Sequence, residues 1–219
     1  MTLPADFGLK LWEVPRIWPG ETVVVMASGP SMTQEQADYV KESACRSIVV
    51  NTTYKLAPWA DILYAADRWW WQHYDCAPDF FGIRVGVGWR FKIDKPIVGW
   101  PHSEEAKKVF LVGITEHEGL ELENPSGLCG GGNSGYQAVN LAVRLGAKRI
   151  VLLGFDLKEK CHWHEEHQGR ATGYWNYEKW AKNFDTMVEP LNELGVEVIN
   201  CSPDSAIEAF EKRDLEEVI

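Results

Sequence analysis

The strongest constraint on this chain is a series of short β-branched runs separated by stretches of helical pattern. The runs are Thr22–Ala27, Arg46–Asn51, Asp61–Ala66, Val109–Gly113, Arg149–Phe155 and Val196–Asn200. Most are unbroken apolar segments rather than apolar/polar alternations. Runs of that kind suit strands buried on both faces of a parallel sheet. The stretches between them carry helix signals. Thr33–Ser43 opens on Thr33 as N-cap, with Gln36 completing a capping box. Asp67 is placed to cap the helix that begins at Arg68. Ser134–Leu145 has apolar residues at 138, 139, 142 and 145, and Gly146 supplies the stop. Tyr174–Leu194 is expected to break near Pro190 and to end at Gly195. The alternation predicts an α/β fold: a Rossmann-like, doubly wound, mostly parallel sheet with helices on both faces.

At 219 residues the chain reads as a single domain over 1–219. A chain of this size buries roughly 70% of its unfolded surface, so it needs no disulfide staples. Two stretches break the rhythm. Residues 77–101 are rich in Gly, Trp and Pro and read as an irregular excursion or an antiparallel edge. Residues 115–132 read as a long loop, a type of segment that often carries function. The charged tail Glu208–Ile219 is expected to fray.

Composition excludes some functions. With 22 Lys+Arg against 32 Asp+Glu, the net charge is −10, which argues against a broad grip on nucleic acid. No apolar run approaches the roughly 20 residues of a membrane span. Met1–Gly20 does not read as a signal peptide. The five Cys are scattered without a CxxC pair, which predicts free thiols in a cytoplasmic setting. A homodimer is the default assembly.

In open parallel sheets, ligands bind beyond the carboxyl ends of the strands. The segments just past the strands are therefore the candidate site. After the first strand comes Ser28-Gly29-Pro30-Ser31, where a tight turn and a helix start could hold an anion, although an ordinary strand–helix turn reads the same way. After the second comes Asn51, able to bond a ribose or base edge, or simply to make a turn. After the third come Asp67 and Trp69–Trp71, the latter a core or interface cluster more readily than a sugar platform. Gly130–Gly132, Asn133 and Ser134 open the helix at Tyr136 and give the strongest generic anion signal. Gly154-Phe155-Asp156 ends another strand, and half of the six His come soon after, within His162–His167. Two chemistries fit that cluster, beside the plainer reading of an exposed polar loop. One His could be a general base. Alternatively His162, His164 and His167, with Asp156, could bind a divalent metal.

Taken in order, Ser28–Ser31, Asn51, Asn133-Ser134-Gly135 and Gly154–Asp156 resemble the bacterial sialyltransferase family that uses CMP-sialic acid. They also resemble the archaeal 6-hydroxymethyl-dihydropterin pyrophosphokinase-like family, which shares the layout. The stretches Leu56–Asp61, Asn133–Ala138 and His162–His164 are similar to proteins encoded in tailed-phage genomes. The likeness covers about residues 22–205. The sialyltransferase resemblance implies Ser28 and Asn51 at a nucleotide and Ser134 near the donor phosphate or sugar. It implies His164 or His167 as base on an acceptor hydroxyl. Ser28 stands where that family has Asn. Lys158 and His164 stand roughly where it has two Tyr, which argues against a CMP-sialic acid donor; Lys158 could neutralise a phosphate instead. The pyrophosphokinase resemblance implies ATP and Mg²⁺, with Asp67 and Asp156 to hold the metal.

The resulting expectation is a phage-encoded, glycosyltransferase-like enzyme of the host cytoplasm. It would take a nucleotide-sugar donor and a hydroxyl acceptor, with no resident cofactor assigned beyond the Mg²⁺ or Zn²⁺ alternatives. Its site would comprise Ser28, Gly29, Pro30, Ser31, Asn51, Asp67, Gly132, Asn133, Ser134 and Lys158, with Asp156, His164 and His167 as the catalytic set. The rival readings are an ATP/Mg²⁺-dependent phosphotransferase and a non-catalytic nucleotide-binding or phage structural protein.

Overall fold

The computed structural model describes residues 10–90, 95–96, 103–115, 118–158, 162–164 and 176–219. In chain order the elements begin β1 (Thr22–Met26), α1 (Gln34–Glu42), β2 (Arg46–Val50), β3 (Ile62–Ala65) and α2 (Arg68–His73). They continue with β4 (Ile83–Arg90), β5 (Lys95–Pro96), β6 (Val109–Thr115), β7 (Gly127–Cys129) and α3 (Ser134–Leu145). The last are β8 (Arg149–Leu153), α4 (Tyr177–Asn183), α5 (Asp185–Leu194), β9 (Glu197–Asn200) and β10 (Glu211–Lys212). Nine strands pair in the order β10-β9-β8-β1-β2-β3-β4-β6-β7, and β5 adds an antiparallel pair onto β4. Every pair along the nine-strand path is parallel.

The apolar runs explain the layering. Val23, Val25, Ile48, Val50, Ile62, Tyr64, Ile150 and Leu152 point into one core, shared with α3, α4 and α5. Their neighbours Val24, Met26, Val49, Leu63, Ala65, Val151 and Leu153 point into the other, shared with α1 and α2. Strands covered on both sides have no polar face to write into the sequence. Helix α3 is the central support, with eleven of its twelve residues buried. Asn133 caps it by accepting from Tyr136 N at 2.8 Å, and Gly146 ends it at φ 106°. Thr33 and Gln36 form the expected capping box on α1.

Several sequence expectations need correction. Within 77–101, residues 83–90 are neither an excursion nor an edge: β4 lies inside the sheet, between β3 and β6. Gly88 eases packing, because a Cβ there would sit 3.0 Å from the Leu111 side chain, next to a register shift at Val87/Trp89. The 115–132 stretch is not wholly loop, since Gly127–Cys129 forms β7. The long C-terminal helix breaks at Phe184, not at Pro190, which sits inside α5. Phe184 is fully buried against Tyr136, Phe155 and Phe210, and that contact sets the turn. The tail is tied down rather than frayed: Leu215 is buried, β10 joins the sheet and Tyr39 OH donates to Ile219 O at 2.9 Å. Asp67 occupies the N-cap position of α2 but makes no capping bond with its side chain. Among the described residues, Cys45, Cys76, Cys129 and Cys201 are free thiols, and no helix is long and apolar enough to cross a membrane.

Candidate active site

The chain runs outward from β1 through β2, β3, β4 and β6 to β7, then returns to place β8 on the other side of β1. The reversal leaves a crevice at the carboxyl ends of β8, β1 and β2, the position where such sheets bind ligands. A cavity of about 420 Å³ opens there. Its walls come from strand ends Ala27–Gly29, Val50–Asn51 and Gly154–Phe155, from Gly132–Gly135 at the start of α3, and from Asp67, Leu157, Lys158 and His162. Trp69, Trp70, Tyr177 and Trp180 supply an aromatic share of the lining.

The floor is built by bonds that the loop after β1 donates to the loop after β8. Gly29 N donates to Gly154 O at 2.8 Å, and Ser31 donates to Asp156 Oδ2 through Oγ at 2.8 Å and through N at 3.3 Å. A Cβ on Gly29 would lie 2.0 Å from Asp156 Oδ2, so only glycine lets the two loops close on each other. Asp156 is 4% exposed and is not among the lining residues. Its carboxylate lies beneath the cavity and anchors the Ser31 turn. Pro30 and Ser31 likewise shape the floor without lining the cavity.

The α3 wall presents backbone. Gly132 has φ 84°, and a Cβ there would fall 2.5 Å from the Trp180 indole. Asn183 Nδ2 donates to Gly131 O at 2.9 Å, fixing α4 beside the glycines. Ser134 Oγ accepts from Ala66 N at 3.3 Å, which joins the helix start to the end of β3. Burial, with the Asp67 charge nearby, holds the Tyr64 phenol well above its usual range. It therefore stays protonated and donates to Gln137 Oε1 at 2.7 Å, while Gln137 Nε2 donates to Gly130 O at 2.8 Å. A helix start so held offers amides and a positive dipole end to an anion.

Two cavity residues sit in unusual backbone. Asn51 has φ 52° and Leu157 φ 46°, the left-handed region that costs non-glycine residues energy. Among the described residues, two buried amide atoms at the cavity, Asn51 Oδ1 and Asn133 Nδ2, have no hydrogen-bond partner. Buried polar atoms of that kind ordinarily find one.

Of the described histidines, the one that lines the cavity is His162. Its Nδ1 lies 3.1 Å from Ser28 O. A carbonyl can only accept, so Nδ1 carries the proton and Nε2 carries the lone pair. Burial pushes the imidazole below its usual value, partly offset by that bond, so the ring is neutral at pH 7. His164 stacks on it, with centroids 5.3 Å apart and planes 8° from parallel. His167 lies outside the described residues, and with it the complete triad of metal ligands. Lys158 sits at the rim, 56% exposed and 3.8 Å from Asp204.

The fold thus gathers Ser28, Gly29, Asn51, Asp67, Gly132, Asn133, Ser134 and Lys158 around one cavity. Sequence reasoning missed the Tyr177–Trp180 wall, which needs the packing of α4 on Gly132. It placed the His162–His167 loop at the site but named His164 or His167 as the base, and nothing in an HxH pattern says which ring turns inward.

No protein-family model matches the sequence, and no curated protein matches it. Among solved structures, the chain is similar to the Maf glycosyltransferase of Magnetospirillum magneticum AMB-1, with TM-score 0.61 and 11% identity. That match covers 95% of this chain but 36% of the other, so the chain spans about a third of its length. It is also similar to the sialyltransferase CstII of Campylobacter jejuni, solved with cytidine-5'-monophosphate. There the TM-score is 0.49 and the identity 13%, over 89% of this chain and 85% of that one. At such identities the shared property is the fold: the Rossmann-like sheet of this chain matches about a third of the Maf glycosyltransferase chain.

Proposed function

We propose that the chain is a glycosyltransferase-like enzyme that binds a nucleotide or nucleotide-sugar in the switch-point cavity and transfers the sugar to a hydroxyl. One observation carries this reading: a neutral imidazole with its basic Nε2 and the glycine-rich start of α3 line the same cavity. The α3 amides and Lys158 would take the phosphates. The amides of Asn51 and Asn133 would meet the nucleoside or sugar. His162, in place of His164 or His167, would accept the acceptor hydroxyl proton at Nε2. The freed oxygen attacks the anomeric carbon, the bond from that carbon to the phosphate oxygen breaks, and the leaving phosphate keeps the electron pair beside Lys158.

The phosphotransferase reading is less well served, because Asp156, one of its two metal carboxylates, is bonded to Ser31 below the cavity. A thermal-shift panel of nucleotides (CMP, CDP, UDP, GDP, AMP, ATP), with and without Mg²⁺ or Zn²⁺, tests the proposal. A ligand at 100 times its Kd stabilises by about 2.7 kcal/mol. A metal-independent shift with one nucleotide supports the transferase. A shift confined to ATP with Mg²⁺ transfers the case to the phosphotransferase, and no shift with any nucleotide removes both. With a donor in hand, His162→Gln is expected to lower kcat by at least about 10²-fold while sparing nucleotide binding.

A further inference from the structure

The His162 base is carried on a loop, yet its ring is held in one tautomer. The reason lies one residue on. Trp163 N and His162 Nδ1 both donate to the Ser28 carbonyl, at 3.2 and 3.1 Å. The Trp163 indole reaches the other way, its Nε1 donating to Thr53 Oγ1 at 3.2 Å. Thr53 Oγ1 lies 2.9 Å from Ser28 Oγ, and Ser28 Oγ donates to Val50 O at 3.2 Å. Thr53 is fully buried and Ser28 nearly so.

The ends of this chain of bonds fix its direction. An indole N–H can only donate and a carbonyl can only accept. Thr53 Oγ1 receives from Trp163, so its own proton goes to Ser28 Oγ, whose proton goes to Val50 O. Each hydroxyl gives once and receives once, and such chains reinforce their members. The backbone of residue 28, which orients the His162 ring, is thereby locked to the end of β2.

We infer that Thr53, which does not line the cavity, is a positioning residue for His162: its hydroxyl, bridging the Trp163 indole and Ser28, holds the Ser28 carbonyl where it fixes the imidazole with its proton on Nδ1. This rests on His162 being the base in the proposed transfer, but the tautomer can be read without any transfer assay.

The experiment is ¹⁵N NMR of histidine-labelled protein, with His162 identified by its loss in His162→Gln. In the wild type, His162 should show protonated Nδ1 and bare Nε2. Thr53→Val keeps shape and burial but deletes the hydroxyl. Trp163→Phe deletes the indole N–H from the opposite end, so the test survives if either variant folds poorly. Both should shift the His162 resonances toward the Nε2–H form that a solvated imidazole favours, and Thr53→Ser should restore the wild-type pattern. Once a donor is known, Thr53→Val should lower kcat about tenfold with KM little changed. Folded Thr53→Val or Trp163→Phe with unaltered His162 resonances would overturn the inference. A wild type that binds no nucleotide while its variants shift the tautomer as expected would instead overturn the proposed function and leave the positioning intact.

Discussion

The two ends of the sheet both carry residues forced into left-handed backbone, and they treat the consequences differently. At the amino end, between α2 and β4, Asp75, Cys76 and Ala77 come in succession at φ 44°, 60° and 51°. The carbonyls of Cys76 and Ala77 are answered from within: Arg84, 8% exposed, donates to Cys76 O at 2.8 Å, to Ala77 O at 3.4 Å and to Glu105 Oε2 at 2.9 Å. At the carboxyl end, Asn51 and Leu157 are also left-handed, but there the amides of Asn51 and Asn133 each leave an atom without a partner among the described residues. Strain whose carbonyls are answered by a buried arginine holds a turn. Strain beside unsatisfied polar atoms, at a cavity, points to a ligand.

The largest test of that contrast is Arg84→Met. It strips the left-handed turn of its donor and should cost about 3 kcal/mol in denaturant unfolding, while leaving any nucleotide shift in Tm intact. Loss of nucleotide binding at constant stability would erase the distinction between the ends. Asn51→Gly acts at the other end and should do the reverse. Glycine accepts φ 52° without penalty, so stability should hold or rise by up to about 1 kcal/mol. Affinity for a nucleotide that shifts the wild-type Tm, by titration calorimetry, should fall about tenfold with the lost amide.

The smallest effect is in pH. Burial lowers the His162 value in the folded state below the unfolded value of 6.5. The unfolded chain then binds the proton more readily, so stability rises with pH across that window. The His162 contribution is complete above about pH 6.5 and is lost as pH falls below it. The unfolding free energy of the wild type should therefore climb more steeply with pH just below that value than that of His162→Gln. Parallel curves would show that His162 is not buried as described.

Much of this organisation is legible in the chain. The apolar runs at 22–27, 46–51 and 149–155 announce strands with two covered faces, and the motifs just past them announce the crevice. β4 is illegible because Gly86 and Gly88 read as loop, and only the Leu111 side chain on the neighbouring strand shows that a Cβ at position 88 would be tightly packed. Asp156 reads as a catalytic or metal-holding carboxylate at a strand end, since a sequence does not show that Ser31 is already bonded to it. The inward histidine is hidden for a similar reason. Its orientation is set by a carbonyl 134 positions away in the chain, and backbone groups leave no mark in residue identity.

The two covered faces of β1 have one more consequence. Val23, Val24 and Val25 belong alternately to opposite cores, so sliding the strand by one position would exchange valine for valine and meet little resistance from polarity. Hydrophobic pattern alone leaves such a strand nearly blind to its own alignment. What distinguishes the correct alignment lies just past its end, where Ala27 N meets Leu153 O, Gly29 N meets Gly154 O and Ser31 meets Asp156. The loop that shapes the cavity floor is thus also the ruler against which the central strands are set, and a substitution such as Gly29→Ala would disturb the alignment of β1 against β8 before it disturbed any chemistry.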